Sequence, residues 1–267
     1  MPNNSYADVL DRIRAAIELA RGVFARFTPG EIATEYKSGH DPVTEADTAL
    51  DAVLRKALLR DGEGWLSEET ADDLSRLNCE RVWVVDPLDG TREFVEGIPE
   101  FCVSIAMVDR GRPVAGGICN PATNETFLGS IEAGLEFNGA PARASQRNTL
   151  QGATVLASRS ETKRGEWKEF TNAPFQVKPM GSVAYKLARV AAGLDDITFT
   201  LTPKHEWDVA GGAALIASAG GCVRTLADTD LVCNQKNALI SGLIGCGPLI
   251  KDELMEFLRP HLPNTNR

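Results

Sequence analysis

An apolar run, Arg81 to Val85, ends in a turn dense with carboxylates, Asp86-Pro87-Leu88-Asp89-Gly90-Thr91. Tryptophan and valine favour an extended strand, and the Asp-Pro and Asp-Gly steps that follow stop it. Side chains alternate along a strand, but a turn at its end breaks the alternation, so Asp86, the Leu88 carbonyl and Asp89 can aim at one point. Hard oxygen donors packed this closely suit Mg²⁺ or Mn²⁺, whereas a zinc site draws more on histidine and cysteine. Read locally, the same residues also serve as a turn acceptor at Asp86, a solvent loop at Asp89-Gly90 and a helix cap at Thr91.

Two further acidic signals bear on that choice. Glu68-Glu69 follows the short run Gly64-Trp65-Leu66-Ser67, and Asp208 follows Trp207 at a helix entrance. Carboxylates about 4 Å apart repel by about 1 kcal/mol even at the dielectric of bulk water. A fold that gathers these groups therefore calls for a divalent cation to offset the repulsion.

The rest of the chain is ordinary in bulk. With 267 residues, 43% of them hydrophobic and 24% charged, it is long enough for one large core or two modest domains. Its net charge of −9 opposes nonspecific binding to a nucleic-acid polymer or an anionic membrane. No run is long enough to span a bilayer, and Asp8, Asp11 and Glu18 interrupt the first apolar segment, unlike a signal peptide. The six cysteines are widely spaced and form no CxxC pair, so reduced thiols in a cytoplasmic setting are expected.

Helical spacing of apolar residues predicts a helix from Ser5 to Phe27 and another from about Thr44, carrying Leu50, Val53, Leu54 and Leu58. Strands are predicted at Phe101 to Val108, Pro113 to Cys119 and Glu125 to Gly129, with a ribbon around Asn138-Gly139. A second unit begins near 150, giving an α+β domain over residues 1–150 and an α/β domain over 151–267. Within it, helices are predicted from Ser182 to Ala192 and from Asp208 to Ala219, with strands at Ala153 to Ala157, Ile197 to Leu201 and Ala238 to Ile244. A last helix follows Pro248.

Four motifs, taken in order, resemble those of the inositol monophosphatase superfamily, which also contains 3'(2'),5'-bisphosphate nucleotidases and fructose-1,6-bisphosphatases. They are Asp41-Pro42-Val43-Thr44-Glu45-Ala46-Asp47, Ser67-Glu68-Glu69, Asp86-Pro87-Leu88-Asp89-Gly90-Thr91 and Trp207-Asp208-Val209-Ala210-Gly211-Gly212. The resemblance covers nearly the whole chain and implies a five-layer α-β-α-β-α sandwich, α/β in class with mixed α+β character. Its N-terminal domain would bind metal and its C-terminal domain substrate. It implies two or three Mg²⁺ ions, replaceable by Mn²⁺: Glu68, Asp86 and the Leu88 carbonyl on the first, and Asp86, Asp89 and Asp208 on the second. Glu68 and Thr91 would position and deprotonate the attacking water. A loop near Lys37 and Asp41 would complete an outer metal site with Asp47. Water then attacks phosphorus directly, and no phosphoenzyme is needed.

The substrate side is similar to bacterial bisphosphate nucleotidases at Arg92-Glu93-Phe94 and at Ser158-Arg159-Ser160, although the histidine usual after Ser160 is Glu161 here. That likeness implies conversion of 3'-phosphoadenosine 5'-phosphate to AMP and phosphate, a clearing step for sulfate assimilation. Gly90, Thr91, Arg92, Arg159, Ser160, Ser182, Lys186 and Lys204 would hold the substrate, with Arg159 forking onto its second phosphate. The alternative is an inositol monophosphatase or a broad sugar phosphatase, and a third reading is a phosphoinositide-binding scaffold without activity. Both a monomer and a homodimer are compatible with the sequence.

Overall fold

The computed structural model describes residues 6–32, 34–36 and 42–262, so Lys37 and Asp41 lie outside the described residues. The three-to-four-residue apolar period places Val9, Ile13, Ile17, Ala20 and Phe24 on the buried side of α1 (Ala7–Phe24), which is shorter at both ends than the sequence pattern suggested. Helix α2 (Glu45–Leu58) starts where predicted. Thr44 caps it, and Asp47 returns the bond to the Thr44 amide at 2.7 Å, a reciprocal capping box. Both helices bury their apolar sides against Trp83, Val85, Ile105 and Met107 on one face of a large sheet.

That sheet has seven strands in chain order: Gly64–Ser67, Arg81–Asp89, Cys102–Asp109, Arg112–Asn120, Glu125–Ser130, Gly134–Phe137 and Ala140–Ala142. The first two are parallel and the rest antiparallel. The short helix α3 (Thr91–Val95) follows the acidic turn.

A second, five-stranded sheet runs in the order Gln176–Met180, Thr154–Ser158, Ile197–Thr200, Leu243–Cys246, Cys222–Thr225. The predicted boundary near 150 falls between its first strand in the chain and the last strand of the large sheet. Helix α4 (Arg159–Arg164) leaves the end of Thr154–Ser158. Helices α5 (Val183–Ala191) and α6 (Glu206–Ser218) lie between the sheets, and their Leu187, Val209 and Leu215 share one core with Ile118 of the large sheet and Leu156 of the small one. Helix α7 (Lys251–Leu258) covers the far face of the small sheet with Leu254 and Leu258 against Trp167, Phe170 and Ile244. The layers therefore read α-β-α-β-α, as expected.

One predicted strand is two. Ala238 to Ile244 divides into Leu239–Ile240, paired with Lys204–His205, and Leu243–Cys246 in the small sheet. Gly242 breaks the run at φ +128°, a conformation in which a side chain is strained.

Candidate active site

The strand Arg81–Asp89 runs farther than its apolar pattern suggests, into the acidic turn itself. Its pairing with Cys102–Asp109 matches Asp86 to Ser104 and then Asp89 to Cys102, so one extra residue is inserted between the two aspartates. At a strict two-residue period Asp86 and Asp89 would face opposite sides of the sheet. The bulge restores them to one side, and both line the same cavity. Glu68 joins them by a different route. It follows the strand Gly64–Ser67, whose Ser67 is in register with Val85 on the parallel neighbour, so Glu68 and Asp86 emerge side by side.

Asp208 comes from the first turn of α6. The opposed approach of that helix is close: a Cβ on Gly211 would lie 2.5 Å from the Ser104 hydroxyl, and one on Gly212 would lie 2.2 Å from the Leu187 Cβ. Gly211 is thus a spacer that lets the helix start, and with it Asp208, approach the large sheet, while Gly212 makes room for Leu187 of α5. Gly90 is also obligatory, since its φ is +96° and an added Cβ would meet the Glu100 carbonyl at 2.8 Å.

The cavity measures about 320 Å³ and is lined by Glu68, Asp86, Asp89 and Asp208 on one side. Burial, followed by the charges of Glu68, Asp89 and Asp208, pushes the Asp86 carboxyl well above the ordinary range. Asp208 is raised well above it too, by burial and then by Asp89. Asp89 is raised by burial despite its donors. Those donors are the Ser182 hydroxyl at 2.7 Å and the Ala184 amide at 2.6 Å. Ser182, at φ +54°, adopts a backbone conformation that costs a non-glycine residue about 1–3 kcal/mol, and it does so at the point where it caps α5 and grips Asp89.

Each aspartate is pinned by an internal donor: Asp86 by the Leu88 amide at 3.1 Å, Asp208 by the His205 amide at 2.8 Å, and Asp89 as above. Among the described residues no three His, Cys, Asp or Glu side chains already converge as an ion-holding group. The donor set nonetheless fits a hard divalent cation. It is all carboxylate and carbonyl oxygen, its members repel one another, and positive charge would relieve the repulsion that raises Asp86 and Asp208. Asp47 stands behind this group. The Thr91 hydroxyl has one hydrogen between two acceptors, the Leu88 carbonyl at 3.0 Å and the Asp47 carboxylate at 3.2 Å.

The opposite side carries Gly90, Arg92, Arg159, Ser160, Ser182, Lys186 and Lys204, so every predicted substrate residue meets the same cavity. Lys186 is 5% exposed, and its ammonium donates to the Ser182 carbonyl at 3.0 Å, with burial drawing its pKa down. Arg159, Arg164 and Lys204 each have a carboxylate partner: Glu100 at 2.6 Å, Glu166 at 2.5 Å and Glu161 at 3.1 Å.

The model of the inositol monophosphatase family matches residues 7–263. The chain belongs to this family. It is 34% identical over 243 residues to "Inositol monophosphatase 3" of Solanum lycopersicum, covering 83% of this chain and 87% of that protein. It is 29% identical over 261 residues to the "Fructose-1,6-bisphosphatase/inositol-1-monophosphatase" of Thermotoga maritima, covering 93% and 96%. Among solved structures, the extragenic suppressor protein suhB from Bartonella henselae superposes with a TM-score of 0.81 at 27% identity, covering 95% of this chain and 99% of that one. The chain is a Mg²⁺-dependent phosphomonoesterase of this superfamily. None of these relatives singles out the bisphosphate nucleotidases. No helix among the described residues is long and apolar enough to cross a membrane.

Sequence reasoning missed two residues that shape the site. Asp51 of α2 takes the Ser67 hydroxyl at 2.6 Å and the Thr70 hydroxyl at 2.8 Å, bracketing Glu68 and Glu69. Its position one turn beyond Asp47 was the available signal. Glu100, which holds Arg159, had none, because its partner lies 59 residues away.

Proposed function

We propose that the chain hydrolyses phosphate monoesters of inositol or related sugars, with water attacking phosphorus directly. The observation that carries this reading is the wall facing the carboxylates, where Arg159, Arg164 and Lys204 are committed to Glu100, Glu166 and Glu161. A bisphosphorylated nucleotide needs cations for a second phosphate, and these three are already matched with internal anions. The relatives named for inositol phosphates support the same choice over the nucleotide reading.

In this reading Glu68, Asp86 and the Leu88 carbonyl would hold one Mg²⁺, and Asp86, Asp89 and Asp208 would hold another. Bound there, the ions would neutralise charge on the ester and acidify water. Asp86 would serve both positions, and the bulged strand end puts it on the cavity side beside Asp89. Thr91 donates its single hydrogen to the Asp47 or Leu88 oxygen, which turns its lone pairs to accept from the attacking water. Glu68 is the base for that water. Ser182 and Ala184 fix the rotamer of Asp89 so that little reorganisation accompanies the reaction.

The test is a comparison of kcat/KM for inositol 1-phosphate and 3'-phosphoadenosine 5'-phosphate in Mg²⁺. The inositol ester is expected to be the better substrate, and a preference for the nucleotide would overturn the assignment.

A further inference from the structure

Glu100 sits on the segment between α3 and the strand Cys102–Asp109, behind the Asp89-Gly90 turn. Its two carboxylate oxygens take the Arg159 guanidinium at 2.6 Å each through Nη2, and Oε2 also accepts from Arg159 Nε at 3.0 Å. The same Oε2 accepts the Gly181 amide at 2.7 Å. Glu100 is therefore tied to residues that follow two neighbouring strand ends of the small sheet, and it cannot swing aside without abandoning a backbone donor. Its main chain is equally confined, since the Glu100 carbonyl packs against Gly90. A second carboxylate reinforces the effect: Glu93 lines the cavity and abuts Gly181, where an added Cβ would lie 2.5 Å from its Oε1.

Resting on the monoester reading above, we propose that Glu100 determines the charge of the accepted substrate, by keeping Arg159 in an internal ion pair and so withholding it from a second phosphate. An incoming phosphate would have to displace a carboxylate held at fixed distance in the same molecule, in a charge-assisted forked geometry. A substrate with one phosphate and neutral hydroxyls makes no such demand. Glu100 acts through Arg159 and is a specificity-determining residue that need not touch the reacting atoms.

The experiment measures kcat/KM for inositol 1-phosphate and for 3'-phosphoadenosine 5'-phosphate in the wild type, Glu100→Gln and the double variant Glu100→Gln/Arg159→Gln. Glutamine keeps an oxygen for the Gly181 amide while removing the charge. The ratio of bisphosphate to monoester efficiency is expected to rise about tenfold in Glu100→Gln, the worth of one charge-assisted hydrogen bond, and to fall back in the double variant. An unchanged ratio, equal losses on both substrates, or a gain that survives loss of Arg159 would each overturn the proposal. Should Glu100→Gln not fold, Glu100→Asp loosens the pair by one methylene, and a ratio that stays at the wild-type value there would also overturn it. Failure of the monoester reading is separately visible, because it appears as a nucleotide preference in the wild type.

Discussion

Asp89 receives two internal hydrogen bonds and lines the cavity with three other acids, so its charge and its shape can be separated by substitution. Asp89→Asn keeps an oxygen for the Ser182 and Ala184 donors but removes a cation ligand. We expect Mg²⁺-dependent kcat to fall by about a hundredfold or more, with the circular dichroism melt little changed. A second residue-scale test lies far from the site. Arg12, 7% exposed, forks onto Glu63 at 2.8 and 2.5 Å, and Trp83 donates to the same carboxylate at 2.9 Å. Burial alone would raise the Glu63 carboxyl, but the bonds and charge of Arg12 and Trp83 outweigh it and leave the pKa lowered. A depressed folded pKa stabilises above the unfolded value of about 4.3, and that stabilisation disappears as pH falls through the folded value. Glu63→Gln should therefore cost about 3 kcal/mol at neutral pH, and urea unfolding from pH 7 down to pH 3 should show the difference from wild type shrinking. Much of the site itself was legible because its acids sit in short local motifs, where turn chemistry and charge repulsion act between near neighbours. Glu100 was not, since its role exists only after distant segments meet.

Helix α6 owes its placement to glycines, and this gives an element-scale prediction. Gly211→Ala puts a methyl group within 2.5 Å of the Ser104 hydroxyl and forces the helix start away from the large sheet. The expected result is a loss of about 1–3 kcal/mol in unfolding free energy, together with a higher Mg²⁺ concentration for half-maximal activity because Asp208 moves with the helix. Stability loss with unchanged Mg²⁺ activation would show that the spacing matters only to packing. The elements that sequence pattern recovered are strongly apolar where they pack, such as α1 and α2, with one buried side, and the central strands of the large sheet, buried on both faces. Those it missed carry weak patterns. Gln176–Met180 is an edge strand that includes Pro179 and is mostly exposed, Cys222–Thr225 is half-buried throughout, and α4 has six residues, all of them polar or charged.

At the scale of the whole molecule, the four carboxylates come from three separate segments of the chain, so a cation that binds them links the strand ends to α6. Such an ion binds the folded state only, and at about a hundred times its dissociation constant it adds about 2.7 kcal/mol, or about 5 °C in melting temperature. Mg²⁺ should raise the melt by that order and EDTA should reverse it, with a much smaller response in Asp208→Asn. A melt indifferent to Mg²⁺ would contradict a cation bridging these segments. The helical layer of α5 and α6 is common to both sheets, and it separates two tasks. Three of the acids stand on the large sheet, whereas Arg159 and Ser160 project from the end of a strand in the small one. Lineages can therefore remodel the outer rampart, trading one recognition surface for another, while the hydrolytic engine beneath stays as inherited.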